Sequence, residues 1–97
     1  MKPYTVLAKF EAKPGKEQTL KEMLTSLVAP TLQEEGCINY DLHQCLDNPA
    51  VFMFYENWAS KELLEQHLAS AHIQAWRDVM DDLLGKPYDV TFWEVVK

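Results

Sequence analysis

Ninety-seven residues make one domain with one modest core, because a chain this short buries only roughly 60–65% of its unfolded surface. With 47% apolar and 25% charged residues the composition is that of a globular domain, and no apolar run approaches the ~20 residues of a membrane span. A net charge of −6 with no basic cluster opposes a phosphate backbone, so neither nucleic acid nor membrane is an expected partner.

The opening "MKPYTVLAKFEAKPG" alternates like a strand over 3–12, with Tyr4, Val6, Ala8, Phe10 and Ala12 on one face. It has neither the apolar block nor the cleavage site of a signal peptide, so a cytoplasmic location is expected. "KPG" at 13–15 is a turn. Over 16–34, Leu20, Met23, Leu24, Leu27, Val28, Thr31 and Leu32 recur at helical spacing, and Pro30 should kink this helix or end its regular part. Gly36 in "EEG" is a plausible C-terminal cap.

A second strand over 37–46 alternates Ile38, Tyr40 and Leu42 with Asn39, Asp41 and His43. Cys37 and Cys45 share it, about 26 Å apart if extended and so beyond disulfide reach; two free thiols suit a reducing compartment. After "DNPA" comes a third strand, "VFMFYENW" at 51–58. Ser60 reads as the N-cap of a short helix running to about Ala69. Ser70 reads as the cap of a second helix striped by Ile73, Trp76, Met80, Leu83 and Leu84. Gly85-Lys-Pro87 ends it, and "YDVTFWEVV" at 88–96 is a last strand.

The order β-α-β-β-α-β is the ferredoxin-like α+β plan with an antiparallel sheet. Strands three and four are apolar on both faces, Phe52 and Phe54 against Val51, Met53 and Tyr55, and Phe92 against Trp93 and Val95. Two apolar faces need two covering layers, which predicts a homodimer packed sheet to sheet.

Four polar residues carry candidate chemistry. On one continuous helix His67 and His72 would diverge by about 140°, and no Cys or carboxylate stands at ligand spacing nearby, so no metal site is expected. A junction at Ser70 would place His72 in the first turn of the second helix, where the dipole favours a neutral imidazole. His67, near the apolar side of the short helix, could serve as a general base toward the sheet; equally, both histidines could be structural. Glu56 lies in register with Phe52, Phe54 and Trp58, so its carboxylate must be partnered or have a raised pKa. His43, with Asn39 and Asp41, is a weaker candidate at a dimer surface. Tyr40, Tyr55, Trp58, Trp76 and Trp93 could line a flat-ligand pocket or simply fill the core. Dinucleotide, phosphate-loop, zincin and serine-hydrolase motifs are absent, so no cofactor is expected.

Together, "KPG", "EEGCINYDLHQ", "FMFYENW" and "LLEQHLASAH" resemble the antibiotic biosynthesis monooxygenase domain family, over about 4–95. The resemblance implies ferredoxin-like protomers joined into a dimeric α+β barrel, with a pocket between sheet and helices. Several members of that family oxygenate quinols or polyketide phenols with O₂ and neither metal nor flavin, and the small quinol monooxygenases are the nearest in pattern. On that likeness His67 is the base, Glu56 or His72 orients it, and Tyr40, Phe54, Asn57, Trp58 and Trp76 position an aromatic substrate. A second branch, isomerases of the phosphorylated autoinducer-2 signal, is similar over the same motifs and would need cations from among Lys9, Lys61 and Arg77. The haem-degrading branch typically has a tryptophan near His67 and a ligating histidine near Arg77, and this chain has neither. A binding or stress-associated protein without turnover is the third reading, in which the Glu56–histidine arrangement is structural.

Overall fold

The computed structural model describes residues 2–97. Alternation in the first segment becomes strand β1 (Tyr4–Glu11), whose Val6, Ala8 and Phe10 are buried while Lys9 is exposed. The remaining elements are helices α1 (Glu17–Ser26) and α2 (Val28–Leu32), strands β2 (Cys37–Gln44) and β3 (Val51–Trp58), helices α3 (Lys61–Leu68) and α4 (Ala71–Leu83), and strand β4 (Asp89–Trp93). The four strands form one antiparallel sheet in the order β2-β3-β1-β4, the ferredoxin-like arrangement. β4 stops short of position 96 because its Trp93 already pairs with Thr5, near the beginning of β1.

The helix expected over 16–34 is two helices. Pro30 has no N–H to offer the Ser26 carbonyl, and its ring would crowd that group. The chain breaks at Leu27, whose N–H bonds the Leu24 carbonyl at 3.1 Å in a tighter turn, and α2 begins there with Pro30 in its first turn. Leu20, Leu24, Leu27 and Thr31 from this pair are all buried. They meet Phe52, Phe54 and Trp58 of β3, with Leu64, Ile73 and Trp76 of α3 and α4 completing the core. The opposite sheet face is half apolar and uncovered in the single chain, with Tyr55 at 41% and Trp93 at 55% exposure. Among the described residues no helix is long and apolar enough to cross a membrane.

Two junctions set the positions of the polar residues. Ser60 caps α3 as expected, its Oγ accepting from Leu63 N–H at 3.2 Å. Ser70 does separate α3 from α4, but its hydroxyl makes no N-terminal cap; it turns back and donates to the His67 carbonyl at 2.7 Å, closing the C-terminal end of α3. The second junction is Gly36, with φ +85°, where a Cβ would lie 2.8 Å from Leu63 Cβ and closer still to Leu63 Cδ1. Only glycine both adopts this conformation freely and lets the turn press against α3. Gly36→Ala is therefore expected to destabilise the fold by about 2 kcal/mol or more, read as a lower denaturation midpoint at unchanged slope.

Candidate active site

The turn held by Gly36 delivers Glu34 to the junction between α3 and α4. There a single carboxylate oxygen, Oε2, lies 2.7 Å from His67 Nδ1 and 2.8 Å from His72 Nε2. A carboxylate oxygen accepts and does not donate, so each of these ring nitrogens donates its proton to Glu34. The Thr31 and Ser70 hydroxyls also lie near His72 Nε2, at 3.1 and 3.3 Å. His72 is a half-buried residue in the first turn of α4 and does not line the cavity described below.

His67 is nearly sealed, with 3% of its side chain exposed, and its ring lies between Trp58 (centroids 4.6 Å) and Tyr40 (5.4 Å). Burial lowers its pKa, against the opposing effect of the Glu34 hydrogen bond, so the imidazole is held neutral. With the proton on Nδ1, Nε2 carries the lone pair. Among the described residues Nε2 has no hydrogen-bond partner, yet no enclosed side-chain nitrogen or oxygen lacks one. Nε2 is therefore open to the cavity that His67 lines.

That cavity, about 230 Å³, lies between the sheet and the helices; its walls include Tyr40, Phe54, Glu56, His67, Trp76 and Arg77. Alternation along β3 puts Phe52, Phe54, Glu56 and Trp58 on the helix-covered face. Glu56 is 4% exposed, and its Oε1 accepts from the Trp58 indole N–H at 2.9 Å. Burial pushes its carboxyl up to about 7, with the Glu34 charge adding to the rise and the indole bond opposing it. It can thus hold or yield a proton near neutrality. Burial, aided by Glu56, raises the Tyr40 phenol far above its ordinary value, so Tyr40 stays a neutral hydroxyl. The two cysteines are free, and burial pushes the Cys37 thiol up to about 11.

The geometry revises several expectations. The carboxylate bonded to His67 is Glu34, not Glu56. Asn57 points to the other sheet face, where it accepts from the Thr5 hydroxyl at 2.5 Å and donates to Asn39 Oδ1 at 2.8 Å; it does not reach the cavity. Trp58 backs the His67 ring and anchors Glu56 rather than forming cavity wall. Tyr40, Phe54 and Trp76 do line the cavity, and of the three candidate cations only Arg77 joins them. His43 is exposed, with Nδ1 bonded to the Asp41 carbonyl. The premise that no carboxylate stands near the histidines also fails, because donor atoms of Glu34, His67 and His72 all lie within 4.8 Å of one another. One signal did mark Glu34: an acid just past a helix C-terminus opposes the dipole and calls for a cationic or N–H partner elsewhere.

The sequence profile described as antibiotic biosynthesis monooxygenase matches residues 3–79. The chain belongs to the antibiotic biosynthesis monooxygenase family. It is 33% identical over 89 residues to the Mycobacterium tuberculosis protein named "Putative monooxygenase Rv0793", covering 92% of this chain and 87% of that one. It is 28% identical over 86 residues to the Escherichia coli protein named "Probable quinol monooxygenase YgiN", covering 78% and 83%. The crystal structure of PA3566 from Pseudomonas aeruginosa superposes with a TM-score of 0.95 at 30% identity, over 100% of this chain and 97% of that one. The Rv0793 structure gives 0.92 at 29% identity, over 98% and 96%. The ferredoxin-like protomer of the antibiotic biosynthesis monooxygenase family is thus the fold of this chain.

Glu56 makes the site sensitive to pH. A carboxyl whose folded pKa is raised from 4.5 to about 7 stabilises the fold fully below 4.5 and loses that contribution as pH rises through 7. Glu56→Gln keeps an acceptor for the Trp58 indole without the ionisation. The variant should melt above the wild-type protein at pH 8, by on the order of 1–3 kcal/mol, with the gap closing toward pH 5.

Proposed function

We propose that this member of the family is a monooxygenase that acts on a quinol or related phenol with O₂ and works without an organic cofactor. One observation carries the reading: His67 holds its Nδ1 proton against Glu34 and turns a bare Nε2 toward an aromatic-walled cavity. At about 230 Å³ the cavity falls just below the common range of roughly 300–1,000 Å³, which suits a substrate of one or two rings. The name carried by YgiN points to the same substrate class.

In this reading a phenolic hydroxyl donates to His67 Nε2 and passes its proton there. The resulting imidazolium is stabilised by the Glu34 carboxylate, as an acid orients and supports a histidine base in hydrolases. The phenolate, held in a largely apolar space, gives an electron to O₂, and the two radicals combine at a ring carbon. Glu56, able to carry a proton near neutrality, donates to the oxygen that departs. The balance for a simple hydroquinone is one quinol plus one O₂ giving one hydroxyquinone plus one water; the substrate loses four electrons and O₂ gains them. Walls of Phe54, Tyr40 and Trp76 hold the ring and keep bulk water from the reduced oxygen.

The isomerase reading gains Arg77 at the cavity but neither Lys9 nor Lys61, and the apolar walls favour a ring over a phosphorylated sugar. We also propose the homodimer, supported by the uncovered Tyr55 and Trp93 on the outer sheet face.

An oxygen electrode tests the activity. In chelator-treated buffer the protein should consume O₂ with at least one member of a hydroquinone panel, and His67→Ala should lower kcat by about 10²–10⁴-fold. Absence of uptake above background across the panel would remove the oxygenase reading. Light scattering tests the assembly: the particle should weigh twice the 11.2 kDa of the chain, and Tyr55→Lys should shift it to a single chain.

A further inference from the structure

The cluster that orients His67 contains two imidazole nitrogens and one carboxylate oxygen, the donor set that binds first-row divalent metals of intermediate softness. We propose that Glu34, His67 and His72 form a site for a single divalent transition-metal ion such as Zn²⁺, on the side of His67 facing away from the cavity.

The three donors converge. His67 Nδ1 and His72 Nε2 each aim their ring proton at one point, Glu34 Oε2, from 2.7 and 2.8 Å. An ion near that point would take both nitrogens and the oxygen at about 2.0–2.2 Å once the carboxylate withdraws by roughly an ångström. The two ring nitrogens and the carboxylate oxygen already lie within 4.8 Å of one another, so side-chain shifts of about an ångström would close them on one ion. Glu34 lies in the turn after α2, outside any helix or strand, and can make that adjustment. The Glu34 and His72 side chains are 18% and 22% exposed, so an ion can arrive from solvent without passing through the cavity. Three protein donors leave further positions for water, and the Thr31 and Ser70 hydroxyls lie close enough to bond such waters. Glu34 is the one carboxylate in the cluster, so the bound ion would retain a net positive charge beside two neutral rings.

Occupancy has a chemical consequence. A metal on Nδ1 of a neutral imidazole leaves the remaining ring proton on Nε2, which reverses the tautomer that Glu34 alone selects. The nitrogen facing the cavity then donates a hydrogen bond and cannot accept a proton, so the ion would switch off the base. This consequence rests on the proposed role of His67; the binding itself does not.

The test therefore measures binding without turnover. Chelator-stripped protein is titrated with Zn²⁺ by calorimetry and with Co²⁺ by visible absorption. One ion per chain is expected, with affinity falling at least tenfold in both His72→Ala and Glu34→Gln and unchanged in His43→Ala, which alters the exposed histidine on β2. Circular dichroism establishes that each variant is folded; should His72→Ala fail to fold, Glu34→Gln decides. Imidazole ¹⁵N spectra should show the His67 proton moving from Nδ1 to Nε2 as Zn²⁺ is added. No binding, or binding lost in His43→Ala and kept in His72→Ala and Glu34→Gln, overturns the site. Binding with no tautomer change overturns the switch alone. Metal binding in a protein that takes up no O₂ with quinols would leave the site standing and remove the oxygenase reading.

Discussion

One oxygen atom, Glu34 Oε2, joins three parts of the chain: the turn before β2, the end of α3 and the start of α4. Charge-assisted hydrogen bonds of this kind contribute about 1.5–3 kcal/mol each when sheltered from water. Their larger effect is positional. A neutral imidazole has one proton and two nitrogens, and the nitrogen that faces the carboxylate decides what the other can do. Supporting features converge on the placement of that oxygen. Pro30 breaks the helix so that the chain can turn, Gly36 lets the turn lie against Leu63, and Ser70 stops α3 just after His67.

Burial acts on the two cavity titrating groups in opposite directions, and that makes them useful together. Removing water penalises whichever form is charged, which lowers the pKa of His67 and raises that of Glu56. Both groups are thereby drawn toward their neutral forms near neutral pH: an imidazole ready to accept a proton and a carboxyl ready to release one. For His67 the nearby Arg77 charge adds a smaller push in the same direction. The same aromatic packing that excludes water, Trp58 and Tyr40 around the histidine and Phe54 beside the glutamate, is the core of the protein. Stability and poise come from one set of contacts.

The strands, their order and the junction at Ser70 were legible from sequence because they are local: period-2 alternation, turn residues and a polar residue between two helical stripes. The histidine pairing was not, because it depends on Glu34, which is 33 and 38 residues from its partners and looked like an ordinary acidic helix end. Asn57 shows a different failure. If Glu56 faces the helices, period-2 alternation sends Asn57 to the other face, and grouping the two through a family motif overlooked that rule. The segment 16–34 reads as one helix with a flaw at Pro30; in the structure the break at Leu27 starts α2, and the turn that follows α2 carries Glu34.

A shared oxygen is also a contested one. His67 and His72 draw on the same lone pairs of Oε2, so strengthening either bond polarises the carboxylate toward that ring and away from the other. The two histidines differ in surroundings: His67 is enclosed by aromatic rings, while His72 is half-buried and has the Thr31 and Ser70 hydroxyls as additional neighbours. Those hydroxyls can relieve His72 of its dependence on Glu34, but nothing comparable is available to His67 Nδ1. The carboxylate therefore matters most to the buried ring, whose Nδ1 has no other hydrogen-bond partner among the described residues. The link from the enclosed His67 ring to the outer surface runs through Glu34 and His72, whose side chains are 18% and 22% exposed.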